Sequence, residues 1–228
     1  MPDSPRLRVV CGGSFVSIQS MRRLRQLIAE HGPILVIDAA SAVIQVGWLD
    51  SASKMEWAIS SEESGVGIYE CIEKLGREPR EAAAFVFCDG PGSVLGVRTS
   101  AMAIRTWNVV RTRPAFAFHS LSAVAHVLGR PEITVISDAR RETWHSSAVN
   151  RPLLRLPAAE LTGELVMPDG FRHWSTLPPA VTRVPYSLSE MFPQLLDAPI
   201  MRESDAPDAF LHEEPSYATW TPQIHRAP

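Results

Sequence analysis

The sequence predicts an α/β protein built from two related lobes. Residues 34–49, ILVIDAASAVIQVGWL, have the pattern of an apolar strand that ends at Asp38, a turn of small residues and a returning strand. Residues 133–149 repeat this arrangement around Asp138. Helix and strand patterns alternate between the two units, which is typical of a layered α/β domain. Two such units about 100 residues apart indicate a duplicated lobe.

The remaining elements of the first lobe follow from apolar spacing and from residues that begin or end helices. Ser120 is placed to cap one helix, and Pro114 forces the end of the helix before it. The predicted elements, in order, are a helix over 64–75, a strand over 82–88, a helix over about 97–111, a strand over 115–120 and a helix over 121–129.

The two ends of the chain give weaker patterns. Residues 150–228 hold 12 of the 19 prolines, and only residues 187–196 favour a helix there, so we expect a small, irregular second lobe. Residues before 32 mix glycines, serines and a basic run, and Met21 is an alternative start. The predicted boundaries are an extension over 1–31, a first lobe over 32–129 and a second lobe with the tail over 130–228.

Composition indicates an ordinary globular protein of the cytoplasm. The formal net charge of -3 gives no general basic surface for nucleic acid. The three cysteines, Cys11, Cys71 and Cys88, have neither disulfide nor zinc spacing and suit a reducing compartment. No run approaches the roughly 18 apolar residues of a membrane span. Residues 7–18 do not fit a signal peptide, because glycines and serines interrupt them and a basic run follows.

A glycine turn over residues 89–98, DGPGSVLGVR, stands where a strand passes into a helix. Its glycines allow close backbone approach, and amides at a helix N-terminus can hold an anion. It is not a Walker loop, because Val97 and Arg98 stand where lysine and serine or threonine should follow. A dinucleotide-binding turn and a purely structural turn both stay open.

No catalytic constellation emerges from the residues. Ser93 follows Gly-Pro-Gly but is not in a G-x-S-x-G elbow. Histidines four apart on a helix could share a metal ion, but no pair here has that spacing. The seven histidines are His31, His119, His126, His145, His173, His212 and His225.

Five segments together resemble the TsaB (YeaZ) family. They are ILVIDAAS, GPGSVLGVR, HSLSAVA, SDARRETW and PSY, and they occur in family order over residues 34–217. The resemblance implies an actin-like, Hsp70-like ATPase fold with two lobes, the second reduced. The chain departs from the family pattern at Ala39, at Val94 and Leu95, and at Trp144, where hydroxyl or aromatic groups are lost.

The resemblance implies a scaffold subunit without catalysis or metal of its own. It would bind a TsaD-like threonylcarbamoyl transferase and work with a TsaE-like ATPase. This complex would make threonylcarbamoyladenosine on tRNA, which the chain would contact only indirectly. Alone, it would form a homodimer. Weak binding of ATP or ADP with magnesium is compatible with a vestigial nucleotide or phosphate site, although a strand-end aspartate can also simply shape a turn. That site would comprise Asp38, Ser41, Gly90, Gly92, Ser93 and Asp138.

The same resemblance places the partner surface on two helices of the first lobe. They match residues 64–75 and 96–110, although a stripe that faces the core is the default explanation for such spacing. An independent nucleotide-binding ATPase, a glycoprotease-like peptidase and a homodimer without a role in tRNA modification are the alternatives. The predicted interface residues are Ile68, Cys71, Ile72, Leu75, Val97, Ala103 and Trp107.

Overall fold

The computed structural model describes residues 21–210 as two β-sheets with five α-helices. The first sheet contains β1 (Arg22–Arg23), β2 (Ile34–Asp38), β3 (Ile44–Ser51), β4 (Lys54–Ser60), β5 (Ala84–Gly90), β6 (Ala115–His119) and β12 (Pro199–Glu203). The second contains β7 (Ile133–Asp138), β8 (Thr143–Ser147), β9 (Leu154–Pro157), β10 (Glu164–Pro168) and β11 (Thr182–Val184). The helices are α1 (Leu24–His31), α2 (Ser64–Leu75), α3 (Val94–Val110), α4 (Ser120–Leu128) and α5 (Leu188–Met191).

The two sheets share one topology, which confirms the predicted duplication. Five strands of the first sheet follow the order β4-β3-β2-β5-β6, and the second sheet follows β9-β8-β7-β10-β11. In each, the first three strands along the chain form an antiparallel meander. The last two lie parallel to the central strand and to each other. Each aspartate-ended strand, β2 or β7, is therefore the centre of its lobe.

The first sheet is covered on both faces, and successive side chains of its central strands point alternately into two apolar cores. Ile34 and Val36 of β2 pack in one core with α1 and α4, whereas Leu35 and Ile37 pack in the other with α2. All residues of β2 and β5 are buried. Continuous apolar strands of this kind are typical of sheets with helices on both faces. None of the helices over residues 21–210 is long and apolar enough to cross a membrane.

The expectation of an irregular second lobe was wrong, since it contains a five-stranded sheet. Its strands are three to six residues long, and prolines end two of them, Pro157 and Pro168. Strands this short give no long pattern in a sequence. The helix expected over 187–196 is reduced to the four residues of α5.

The predicted extension over residues 1–31 and the assignment of all of residues 130–228 to the second lobe also need correction. Leu24 and Leu27 of α1 are fully buried in the core, and β1 pairs with β12, so residues 22–31 belong to the folded lobe. Near the other end, β12 leaves the second lobe and pairs with β6 of the first sheet. The first lobe is therefore completed by residues from both ends of the described chain.

Two helix starts differ from the prediction for identifiable reasons. Helix α3 begins at Val94 instead of about 97, because the Ser93 hydroxyl caps it by accepting a bond from the Gly96 amide (3.2 Å). Ser120 is the first residue of α4 and not its cap. Its hydroxyl donates to the carbonyl of Pro91 (2.6 Å) and so attaches α4 to the glycine turn. The PSY segment and His212 and His225 lie outside the described residues.

Candidate functional site

The predicted nucleotide site lies at the junction of the lobes, and its central carboxylate is fully enclosed. Asp38 has no exposed surface. One carboxylate oxygen accepts a bond from the Ala40 amide (2.7 Å), and the other accepts one from the Tyr186 hydroxyl of the second lobe. The nearby Ser41 hydroxyl donates to the Val43 carbonyl (2.8 Å) and accepts from the Val43 amide (3.2 Å). A magnesium ion or phosphate could reach Asp38 only if Tyr186 moved away.

Burial changes the acidity of this group. The pKa of Asp38 is raised from 3.8 to about 6 by desolvation, which outweighs the stabilising hydrogen bonds from Tyr186 and Ala40. Burial likewise raises the pKa of Tyr186 and of Cys88, a further hydrogen-bond partner of Asp38, well above their ordinary values. Tyr186 and Cys88 are therefore protonated near neutral pH and can donate to the Asp38 carboxylate. None of these three side chains is cationic, so the cluster is poorly suited to binding the phosphates of a nucleotide.

Further hydrogen bonds join the lobes around Asp38. The buried Gln45 side chain donates to the Tyr186 carbonyl (3.3 Å) and accepts from the Leu188 amide (2.7 Å). The Ala42 amide donates to the Gly170 carbonyl (2.9 Å). Sequence reasoning missed Gln45 and Tyr186, because their partners lie more than 140 positions away along the chain.

The glycine turn packs directly on the turn that follows Asp38. A Cβ atom added to Gly96 would lie 2.0 Å from the Ala39 carbonyl oxygen, and one added to Gly92 would lie 2.3 Å from that of Ala40. The Ser93 amide donates to the same Ala40 carbonyl (2.7 Å). These glycines therefore serve close backbone packing, which favours the structural interpretation of the turn; Gly90 precedes Pro91 through a cis peptide bond.

Asp138, the counterpart of Asp38 in the second lobe, organises a loop. Its carboxylate accepts bonds from the backbone amides of Arg140, Trp174 and Ser175 and from the Ser175 hydroxyl. Burial would raise the pKa of Asp138, but these amide bonds hold it below its ordinary range. Its acceptor positions are thus committed to the protein, and the nucleotide prediction stays a prediction at both aspartates.

A buried polar cluster lies beside the glycine turn. His119 donates through Nδ1 to Asp89 (2.9 Å), and Arg202 of β12 pairs with the same carboxylate. Burial lowers the pKa of His119 to about 4, so the imidazole is neutral near pH 7 and its Nε2 accepts a bond from Arg202 (3.3 Å). Because an arginine occupies Nε2, the His–Asp pair is not arranged to activate a serine or cysteine nucleophile.

The predicted interface residues are mostly in the core, which corrects that assignment. Ile68, Cys71 and Ile72 pack against the first sheet, and Val97 and Ala103 are also buried. Leu75 and Trp107 are half-buried at the edge of the same cluster. Side chains enclosed in this way cannot touch a partner, and a charge at Ala103 would disrupt folding instead of an interface.

Several apolar residues of the same two helices are exposed. Val66 and Tyr69 on α2 are 59% and 52% exposed, and Leu95 and Met102 on α3 are 74% and 55% exposed. The helices touch through the hydroxyls of Ser64 and Thr99 (3.3 Å) and through the rings of Tyr69 and Trp107. Thr99 shares a helix face with Leu95 and Met102, since residues three or four apart are neighbours on a helix. We call Val66, Tyr69, Leu95 and Met102 the outer face.

This architecture also occurs among solved structures. YeaZ from Pseudomonas aeruginosa aligns with a TM-score of 0.51 and 16% sequence identity, over 66% of this chain and 84% of that chain. The chain has the YeaZ fold. A structure titled as an uncharacterized protein with similarity to peptidase YEAZ from Pseudomonas aeruginosa aligns at a TM-score of 0.49 and 16% identity, over 65% and 86% of the two chains. No family model and no curated protein matches the sequence.

The YeaZ fold accounts for the two lobes with repeated topology, as the sequence resemblance implied. Within residues 21–210, no group of three His, Cys, Asp or Glu side chains could hold a metal ion. Two regions of the described structure are candidate functional sites. One is the enclosed Asp38 junction, and the other is the outer face of α2 and α3.

The packing of the glycine turn predicts the effect of adding one methyl group. Gly96→Ala should lower the free energy of unfolding by about 2 kcal/mol, because the new Cβ would overlap the Ala39 carbonyl and force the backbone apart. Gly65→Ala in α2 is the matched control, since nothing lies within 4 Å of its added Cβ. Urea denaturation measures both; equal stability of the two variants would contradict the packing described.

The raised pKa of Asp38 predicts a pH dependence of stability. The folded state binds the Asp38 proton more tightly than the unfolded state does. The contribution of Asp38 to the free energy of unfolding is therefore largest below about pH 4, near its unfolded pKa, and declines until about pH 6, its folded pKa. We compare the free energy of unfolding of the parent with that of Asp38→Asn. The difference, parent minus variant, should fall by about 3 kcal/mol between about pH 4 and pH 6.

Asp50→Asn supplies the control of opposite sign. The hydrogen bond from Lys54 leads the interactions that lower the Asp50 pKa, so the corresponding difference should rise with pH. Denaturant titrations at several pH values measure both trends. A difference for Asp38→Asn that is constant with pH would show that its carboxyl titrates as in the unfolded chain.

Proposed function

We propose that the chain is a non-catalytic scaffold subunit that binds and supports a TsaD-like threonylcarbamoyl transferase in tRNA threonylcarbamoyladenosine modification. The observation that carries the proposal is the outer face of α2 and α3, an apolar surface on a YeaZ fold. The motifs in family order, from ILVIDAAS to SDARRETW, give the fold this functional context.

The environments of Asp38 and Asp138 support a role that does not need catalysis. The carboxylates of Asp38 and Asp138 are occupied by donors of the protein itself. Buried polar groups paired in this way stabilise a structure and leave few groups free for a reacting substrate. The same argument disfavours an independent ATPase, and the occupied Nε2 of His119 disfavours a peptidase.

The outer face supports the choice of a protein partner. The four large apolar side chains of the outer face, which lie on two adjacent helices, each expose more than half of their surface. Side chains of this kind commonly form the centre of a protein interface when they are grouped. In this proposal the TsaD-like subunit covers the outer face, and a second copy of the chain covers it as a twofold homodimer when that subunit is missing. A TsaE-like ATPase and tRNA join through the complex.

The proposal predicts that one charge on the outer face separates binding from folding. Met102→Glu should weaken the affinity for a TsaD-like protein by about 2 kcal/mol, roughly thirtyfold, because an unpaired charge would be buried in the interface. Its thermal stability should stay close to that of the parent, since Met102 is 55% exposed. Isothermal calorimetry with the purified TsaD-like protein from the same organism measures the affinity.

Leu154→Glu is the matched control, because Leu154 is an exposed apolar residue on β9 of the other lobe. It should leave the affinity unchanged. The self-association of the parent, followed by analytical ultracentrifugation, should be weakened by Met102→Glu and not by Leu154→Glu. If Met102→Glu folds and binds as tightly as the parent, the outer face is not the interface.

A further inference from the structure

An exposed tryptophan stands in the loop that Asp138 organises. Trp174 is 65% exposed, although tryptophan is usually well buried. Its backbone amide and that of Ser175 donate to the Asp138 carboxylate, so the loop has a defined anchor. The loop is also joined to the first lobe through the bond from Ala42 to Gly170. The ring is therefore presented to solvent from a fixed backbone.

Arginine side chains lie over this ring and in the pocket that Trp174 helps to line. The Arg140 guanidinium lies 4.6 Å from the ring centroid of Trp174. Trp174 also lines an open pocket of about 570 Å³ together with Arg172, His173 and Arg183. Arg140, Arg172 and Arg183 form no ion pair with a carboxylate of the described residues. The pocket lining contains no Asp or Glu side chain. A local basic surface thus exists on a chain whose net charge is -3.

The hairpin that carries Arg140 has an energetically unfavourable backbone conformation at its tip. Arg140 and Arg141, at the tip of the β7–β8 hairpin, have φ of 64° and 52°, a conformation that costs a non-glycine residue about 1–2 kcal/mol. Bonds from the Thr143 amide and hydroxyl to the Arg140 carbonyl hold this tip. The tip thereby carries Arg140 over Trp174.

Guanidinium groups bind phosphate, and an exposed aromatic ring stacks on a nucleobase. Arginines beside an exposed aromatic ring therefore match a nucleic-acid strand with unpaired bases, because each nucleotide supplies one phosphate and one base. A free nucleotide suits the site less well, since small-molecule pockets enclose most of the ligand surface and this pocket is open to solvent.

We propose that Arg140, Arg172, Trp174 and Arg183 form a binding site for single-stranded RNA, with a base stacked on Trp174 and phosphates on the arginines. The inference rests on the proposed function only for the identity of the RNA, an unpaired segment of the tRNA. It adds a direct RNA contact to the indirect one, through the complex, that the proposed function includes.

Fluorescence anisotropy of the full chain with a short, unstructured, labelled RNA at low salt tests the site. Trp174→Ala should weaken binding about tenfold, since stacking on one aromatic side chain contributes roughly that factor per base. Trp174→Phe should keep most of the affinity. In a salt titration, the double variant Arg172→Ala/Arg183→Ala should reduce the slope of log K against log salt by about 0.7 for each phosphate that an arginine no longer neutralises.

The matched control is Arg80→Ala/Arg105→Ala, which removes two exposed arginines that lie outside the pocket and form no ion pair within residues 21–210. Its affinity and salt slope should equal those of the parent. The proposal is overturned if the parent does not bind the RNA, or if the control loses as much affinity as the pocket variants. Equal competition by free AMP would indicate a mononucleotide pocket, and equal competition by polyglutamate a general anion surface; either also overturns it.

Calorimetry with the TsaD-like protein separates this proposal from the proposed function. Trp174→Ala should bind that partner as the parent does, whereas Met102→Glu should bind RNA as the parent does. Loss of RNA binding with partner binding retained would therefore concern the RNA site alone. Failure of the parent to bind the partner, with intact RNA binding, would contradict the scaffold role alone.

Discussion

The enclosure of the Asp38 carboxylate is the constraint on which the arrangement of the two lobes depends. A charged or polar group with no access to water must find its hydrogen-bond donors inside the protein. The Ala40 amide supplies one donor from the local turn, and the Tyr186 hydroxyl supplies the other from the second lobe. Gln45 strengthens the same junction through its two bonds to the backbone of Tyr186 and Leu188. The lobes are thus held together by hydrogen bonds between buried polar groups of both lobes.

The glycine turn extends this constraint toward the outer face. Gly92 and Gly96 let the turn and the start of α3 lie directly on the carbonyls of Ala39 and Ala40. The position of α3 is consequently fixed by the turn that follows Asp38, and α2 packs beside it. A surface built on elements held this closely is pre-organised, which reduces the entropy lost when a partner binds. The second-lobe loop with Trp174 is positioned in the same way, through Asp138.

Much of the first lobe could be predicted from the sequence, because its elements carry local signals. Helix α2 spans the predicted residues 64–75, and the two aspartate-ended strands are the middle strands of the five-strand pattern that both sheets share. The second-lobe strands that follow the hairpin at residues 133–149 could not be predicted, since strands as short as Thr182–Val184 show no periodicity. The pairing of Asp38 with Tyr186 and the return of β12 to β6 depend on long-range packing. Helical spacing in α2 and α3 identified the core stripe, whereas the exposed residues between those positions form the outer face.

Hydrogen exchange of the full chain, alone and with a TsaD-like protein, tests the central claim that the outer face of α2 and α3 is the partner surface. Exchange should become slower in Ser64–Leu75 and in the first turns of Val94–Val110, because a tightly bound partner shields these helices and suppresses their local opening. Exchange in β9, on the other lobe, should not change. Unchanged exchange in both helices under conditions where the complex forms, or slowing confined to the Trp174 loop, would contradict the account.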